Sequence, residues 1–326
     1  MSMESFPYST ILKLAYELTK KRYWLWIFGL FVGGASGLNI GAIKYLTVSR
    51  DAYFPQLVEK NERVFEWINQ NPTVFWGFVG LAVAVFAVLI VLQGLARSAV
   101  TWSAMSLLLN AKGQISKEKI NFKNSLARGR RFVRRVILLQ ILVTTAFFVC
   151  LFLFSTPVVY LFSTHAIGRA VILLLLGLTI FIPAGAVFGF LHLYGPIIVV
   201  LYDRTVADAL RVSFDLVRHK LKESIILAAF LIGLYLLFIL ALSFGIILFS
   251  VPVAILTLLL WKLELWAAVY ALVIFALLAA GVYTVILRAG FAVFHNIAWV
   301  LAVEELVRTK KLEDEARVPA TEPVAE

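Results

Sequence analysis

The sequence LKLAYELTKKR at residues 12–22 returns in related form as LRVSFDLVRHK at residues 210–220, and each copy leads into a long apolar run. A looser copy, LARGRRFVRRV, occupies residues 126–136. In the two close copies, apolar side chains recur at the i, i+3, i+4, i+7 spacing of one helix face, and basic side chains occupy another face. Repetition of this kind indicates one structural unit that is used several times. The sequence therefore predicts three units, each an amphipathic helix followed by a pair of apolar helices.

The composition indicates the environment in which these units fold. The chain has 326 residues, of which 62% are hydrophobic and 15% charged, and its mean hydropathy is +0.92. A soluble domain has roughly 45–50% apolar and 25% charged residues, so the apolar excess is greater than one buried core requires. Runs of about 20 apolar residues match the thickness of the hydrocarbon core of a bilayer. We therefore predict an all-α, polytopic membrane helical bundle.

Six apolar runs are long enough to cross a membrane, at residues 23–43, 73–95, 136–162, 170–201, 224–250 and 265–287. We expect a single integral membrane domain at residues 1–311, with repeat units of about 5–95, 116–201 and 205–287, and a disordered cytoplasmic tail at residues 312–326. The architecture would be six transmembrane helices in three hairpins. Each hairpin would follow an in-plane amphipathic helix whose apolar face lies in the acyl boundary. Residues 55–71 would form a short external surface helix.

The distribution of Lys and Arg predicts which side each connection faces. Segments 1–22, 96–135, 202–223 and 288–326 hold 24 of the 30 Lys and Arg residues, and the other connections hold 6. Under the positive-inside rule, the basic segments face the cytoplasm. We therefore expect a multi-pass protein of the prokaryotic cytoplasmic (inner) membrane with both termini in the cytoplasm.

Two of the apolar runs depart from a single straight span. Residues 170–201 include Pro183 and Pro196, and proline removes a helical hydrogen bond and kinks the helix. A kinked span is the ordinary interpretation, and a broken helix that forms a substrate site is the alternative. Residues 224–261 are apolar throughout. We expect Pro252 to end that span and residues 252–261 to lie at the outer interface or re-enter the membrane.

Basic side chains of the amphipathic helices and span ends are the candidate contacts to anionic lipid headgroups. A cation near an anionic leaflet contributes about 1 kcal/mol, and an arginine at a span end, such as Arg97 or Arg288, can snorkel to the headgroups. The alternative is that these charges serve topology alone. Near the same level, we expect Trp102 and Trp299 to join an interfacial aromatic belt. The headgroup candidates are Lys20, Lys21, Arg22, Arg97, Arg128, Arg130, Arg131, Arg134, Arg135, Arg211, Arg218, Lys220, Lys222 and Arg288.

Motifs of catalysis and metal binding are missing from the sequence. All nineteen acids lie outside the six apolar runs, the four histidines show no metal-ligand spacing, and the single cysteine, Cys150, can form no intramolecular disulfide. We expect no enzyme activity, no cofactor and no metal site. His192, with Tyr194 and Tyr202 nearby, is the polar group in a span that could be functional, although a hydrogen-bonded packing role is the ordinary interpretation.

The stretch YGPIIVVLYDRTVADALRVSFDLVRHK at residues 194–220 carries a resemblance to known membrane families. The matching elements are Pro196, Asp203, Ala209, Leu210, Ser213 and the basic cluster. In these elements the chain resembles the multi-pass membrane domain attached to some glycerophosphoryl diester phosphodiesterases, and related prokaryotic six-span families. Phosphodiesterase activity there belongs to a separate soluble domain, so the resemblance implies no enzyme activity here. Within the stretch, we expect Asp203 to cap the helix that follows it.

These features together predict a non-enzymatic integral membrane protein whose basic amphipathic helices bind anionic lipid headgroups in a membrane-organising or scaffold role. The alternative is a transporter or channel for a lipid or small solute, which rests on the kinked fourth span, the apolar segment at residues 252–261 and a threefold bundle of the repeat units. Expected partners are membrane lipids, chiefly anionic ones, with a protein partner or homo-oligomer left open. We expect no nucleic acid partner, because the basic segments are short and lie between spans.

Overall fold

The computed structural model describes residues 6–34, 68–111 and 120–317, and these form helices and no strand. The predicted all-α class is confirmed for this part of the chain. Helices begin and end as follows: α1 (Tyr8–Lys21), α2 (Leu25–Gly34), α3 (Pro72–Ala111), α4 (Phe122–Ser163), α5 (Ile167–Tyr202), α6 (Val206–His219), α7 (Leu221–Lys262) and α8 (Trp266–Arg317).

Five of these helices, α3, α4, α5, α7 and α8, are long and apolar enough to cross a membrane. The chain is therefore a multi-pass membrane protein by helix length and composition. The predicted span at 23–43 is described only as far as Gly34, and its remainder lies outside the described residues. The predicted surface helix at 55–71 also lies outside them up to residue 67.

The predicted break at residues 252–261 is wrong. α7 continues from Leu221 to Lys262 with Pro252 inside it, and α5 likewise continues through Pro183 and Pro196, so the broken-helix alternative is wrong too. A proline removes one hydrogen bond from a helix. A break in hydrocarbon would leave more backbone groups without partners, so the helix continues.

The middle unit has no separate amphipathic helix, in contrast to the prediction. α4 is one helix of 42 residues that includes the basic segment, because no turn residue separates that segment from the apolar run. In the other two units, short breaks separate α1 from α2 and α6 from α7. The predicted tail is also partly helical, since α8 continues to Arg317 through residues with good helix propensity.

Buried side chains are concentrated at one end of the bundle. There the C-terminal halves of α3, α5 and α8 meet the N-terminal halves of α4 and α7, and α1 and α6 pack against them. We call this region, residues 8–28, 94–110, 122–143, 190–231 and 288–310, the packed end. In contrast, the most apolar window of each long helix is at most 17% buried.

Helix length accounts for this difference between the two ends. At 1.5 Å per residue, the 42 residues of α4 span roughly 63 Å, whereas the hydrocarbon core is about 30 Å thick. Part of each long helix must therefore extend beyond the hydrocarbon, and near water the burial of apolar side chains is favourable. Inside the lipid no such force brings the helices together.

Candidate functional site

The first amphipathic helix, α1, rests on protein. Ile11 and Ala15 are buried and α1 packs against α8, so its apolar face does not lie in the acyl boundary as predicted. Thr19 Oγ1 donates a 2.8 Å hydrogen bond to the Ala15 carbonyl, which satisfies the buried hydroxyl within the helix. Lys20 and Lys21 remain exposed at the end of the helix.

The start of α1 reaches the start of α7. The Tyr8 ring lies 5.8 Å from the Phe230 ring, measured between centroids. Burial, together with the nearby Glu223 carboxylate, raises the pKa of the Tyr8 phenol. This contact brings the first and third repeat units together.

An open cleft of about 560 Å³ lies beside the end of α1. Lys20 Nζ lies 5.9 Å from the centroid of the Tyr16 ring, a distance at which a cation and an aromatic face attract. Lys21 Nζ lies 3.8 Å from the Glu17 carboxylate, so that its charge is shared. Lys20 is therefore the more available of the two lysines for an anion.

The second amphipathic helix, α6, is capped by Thr205. Thr205 Oγ1 accepts a hydrogen bond from the Asp208 amide at 3.3 Å and donates one of 2.7 Å to the Asp208 carboxylate. The prediction that Asp203 caps this helix is therefore wrong. Asp203 instead ends α5 in the left-handed region, with φ of 49°.

The Asp203 carboxylate pairs with two arginines of α4. Arg131 Nη2 lies 2.8 Å from Oδ2, and Arg135 Nη1 lies 2.6 Å from Oδ1. Two of the predicted headgroup residues are thus engaged within the protein. Exposed ion pairs contribute about 0–1 kcal/mol each, so this contact positions α4 against the end of α5 more than it stabilises the fold.

Lys220 does not lie where a headgroup residue should. Its exposure is 7%, and it has a partner in the structure. Its neighbour α6 is held to α8 by Asp215, which pairs with Lys310 and lies 3.1 Å from His219 Nδ1. The side chain of Lys220 therefore faces the packed end, whereas His219 and Lys222 near it are exposed.

Most of the remaining predicted headgroup residues are exposed. Arg128 is exposed and has a partner in the structure. The following are exposed and show no ion pair among the described residues: Lys20, Arg22, Arg130, Arg134, Arg211, Arg218, Lys222 and Arg288.

Arg97 differs from these residues because its Nη1 is fully enclosed and has no hydrogen-bond partner among the described residues. One turn further along α3, Thr101 Oγ1 donates a 3.4 Å hydrogen bond to Asn296 Oδ1 of α8. His295 precedes Asn296, and α5, which carries His192, packs against both α3 and α8. The three helices that carry Arg97, His192 and His295 therefore pack against one another.

Trp299 orients His295 within this group. Trp299 Nε1 donates a 3.2 Å hydrogen bond to His295 Nε2, so a neutral His295 carries its proton on Nδ1. Trp299 is 3% exposed and lies 5.8 Å from the Tyr194 ring, so its predicted place in an aromatic belt is wrong. Trp102 is partly buried and packs against the core.

Sequence reasoning placed Arg97 at the headgroups and did not identify His295. Both residues follow apolar runs, where snorkelling is the ordinary expectation. The sequence does contain one relevant signal, because the spans hold no acidic residues. An arginine inside the bundle would therefore find no carboxylate to pair with. The sequence also points to His192 together with Tyr194. In the structure, however, the Tyr194 hydroxyl donates its hydrogen bond to Ser224.

The remaining chemistry of the described residues is limited. No group of three His, Cys, Asp or Glu side chains among them could hold a metal ion. Cys150 is exposed on the apolar half of α4. The chain matches no protein-family model, no curated protein and no solved structure.

Proposed function

We propose that this multi-pass membrane protein is a non-enzymatic, lipid-binding protein whose packed end holds anionic headgroups and so organises the membrane or supports a partner. The observation that carries the proposal is the set of exposed cations without ion pairs on α1, α4, α6, α7 and α8 and their connections. All of them belong to one end of the bundle. The proposal takes this end to be cytoplasmic, as the distribution of Lys and Arg predicts.

The electrostatic argument rests on the number of cations and their availability. Each cation near an anionic leaflet contributes about 1 kcal/mol, which is roughly a fivefold change in the binding constant. Arg131 and Arg135 already face Asp203, and so they add less. The available cations lie on several helices, so a patch of headgroups, rather than one lipid, is the expected ligand.

The test compares the loss of two charges at each end of the bundle. The full chain is placed in nanodiscs of phosphatidylcholine alone, or of phosphatidylcholine and phosphatidylglycerol in equal parts, and the bound lipid is counted by native mass spectrometry. Arg130→Gln with Arg134→Gln should weaken phosphatidylglycerol binding by roughly thirtyfold. The matched control, Arg169→Gln with Lys262→Gln, removes two exposed charges from the opposite end and should bind like the parent.

Salt provides a second readout. The Debye length falls from about 10 Å at 0.1 M salt to about 3 Å at 1 M, so the preference for phosphatidylglycerol should weaken as salt rises. Equal phosphatidylglycerol binding by the parent and the Arg130, Arg134 variant would show that these cations serve topology alone.

A further inference from the structure

Arg97 is placed in the packed end without a compensating acid. No carboxylate pairs with it among the residues that the structure describes. Its neighbours on α3 bond elsewhere, Ser98 to the Gly94 carbonyl at 2.7 Å and Thr101 to Asn296. The Arg97 side chain is partly buried, and its enclosed Nη1 lacks even a neutral acceptor, which is unfavourable. The fold therefore presents a donor that is ready for an external acceptor.

The residues around Arg97 offer further donors. His295 Nε2 is occupied by the Trp299 indole, which leaves Nδ1–H as the free donor of that ring. His192 lies on α5, which packs against both α3 and α8. A guanidinium together with imidazole N–H donors matches the oxygens of a tetrahedral oxyanion, because arginine binds such groups through two parallel hydrogen bonds.

The position of Arg97 along α3 matches the level of phospholipid phosphate groups. It follows the apolar run at residues 73–95 by two positions, so it lies where hydrocarbon gives way to headgroups. Its counterpart on α8, Arg288, follows the run at 265–287 in the same way but is exposed. The two arginines therefore share a depth and differ in enclosure.

We propose that Arg97, with His192 and His295, holds a phosphate-class oxyanion inside the packed end, supplied by a phospholipid headgroup or by free inorganic phosphate. This site is separate from the exposed cations of the proposed function. If the exposed cations did not bind lipid, the proposal for the Arg97 site would still stand. If the Arg97 site did not bind phosphate, the proposal for the exposed cations would still stand.

The test is the thermal unfolding of the full chain, purified and delipidated in detergent, with two probes. The probes are inorganic phosphate and a short-chain phosphatidate. At least one probe should raise the Tm of the parent by several degrees, because a ligand that binds only the folded state stabilises it. A rise with both probes indicates a site open to solution, and a rise with phosphatidate alone indicates a lipid headgroup.

Variants assign the shift to Arg97. Arg97→Gln should abolish the rise in Tm, and Arg97→Lys should keep a smaller rise because lysine lacks the planar fork. Arg169→Gln, which removes an exposed arginine at the opposite end of the bundle, should keep the full rise. No rise in the parent with either probe, or an undiminished rise in Arg97→Gln, would overturn the proposal. If Arg97→Gln does not accumulate, His192→Gln carries the test: a reduced rise supports the site, and an unchanged rise overturns it.

Discussion

The hydroxyl of Tyr194 donates a 2.7 Å hydrogen bond to Ser224 Oγ, which joins α5 to the first turn of α7. Ser224 Oγ donates in turn to the Lys220 carbonyl, also at 2.7 Å. Both side chains are buried, so neither oxygen can turn to water instead. Loss of the Ser224 hydroxyl would therefore leave the Tyr194 hydroxyl without its acceptor.

The two ends of this bond should respond differently to substitution. Ser224→Ala leaves the Tyr194 hydroxyl buried without an acceptor and should lower the free energy of unfolding by about 1–3 kcal/mol. Tyr194→Phe should cost about 1 kcal/mol, because Ser224 keeps its bond to Lys220. Unfolding in SDS, followed by circular dichroism, measures both. A larger loss for Tyr194→Phe than for Ser224→Ala would contradict this account.

Gly29 of α2 lies directly against α8. A Cβ at this position would overlap the Ala289 carbonyl oxygen and would lie 2.9 Å from Val293 Cγ2. Because the main obstacle is backbone, the helices would have to move apart. We expect Gly29→Ala to lower the free energy of unfolding by about 1–3 kcal/mol in the same SDS assay.

Gly80 provides the control for Gly29. Among the described residues, apart from the neighbouring backbone of its own helix, no atom lies within 4 Å of a Cβ placed on Gly80. Alanine is the better helix former, so Gly80→Ala should leave stability unchanged or raise it by up to about 1 kcal/mol. If both alanine variants were equally stable, the close contact between α2 and α8 would be wrong.

Hydropathy predicted the long helices because length and periodicity are local properties of the sequence. The local rule for proline gave the wrong result at Pro252, since it does not include the penalty for broken helices in lipid. The capping rule likewise selected Asp203, whereas Thr205, two residues later, caps α6. At Pro252 the need to keep the helix hydrogen-bonded in lipid outweighed the tendency of proline to end a helix. Before α6 the residue next to the helix start, Thr205, provides the cap in place of Asp203.

The candidate anion site could not be predicted from the sequence. Arg97 and Arg288 have similar local contexts, each after an apolar run and before more helix. Their difference depends on which helices pack over them, a long-range property. The pairing of Asp203 with Arg131 is also long-range, since 72 residues separate the two.

Neutralising Asp203 should increase the binding of anionic lipid, because it releases the two arginines that pair with this residue. Asp203→Asn removes the charge that holds Arg131 and Arg135, and asparagine tolerates the left-handed backbone at this position. Two freed cations should raise phosphatidylglycerol retention in nanodiscs severalfold. Because exposed ion pairs are weak, the free energy of unfolding should fall by no more than about 1 kcal/mol per pair.

Asp208→Asn is the matched control for this prediction. It removes one negative charge near the start of α6 without releasing an arginine of α4. It should therefore raise phosphatidylglycerol retention less than Asp203→Asn does. Equal increases would indicate a general effect of net charge and not the release of two arginines.

Cys150 permits a test of membrane embedding without background labelling. It is the single cysteine of the chain and is exposed on the apolar half of α4. A charged, membrane-impermeant maleimide does not enter hydrocarbon, so it should not label Cys150 in whole cells or in opened cells. It should react once the protein is unfolded in SDS.

With Cys150→Ala as background, single cysteines then report sidedness. Arg130→Cys lies at the packed end, and His165→Cys lies at the opposite end, in the connection between α4 and α5. The positive-inside rule predicts that the packed end faces the cytoplasm. The impermeant maleimide should therefore label His165→Cys in intact cells, but Arg130→Cys only after the cells are opened. The reverse pattern would place the basic segments outside, and labelling of both in intact cells would mean that α4 does not cross the membrane.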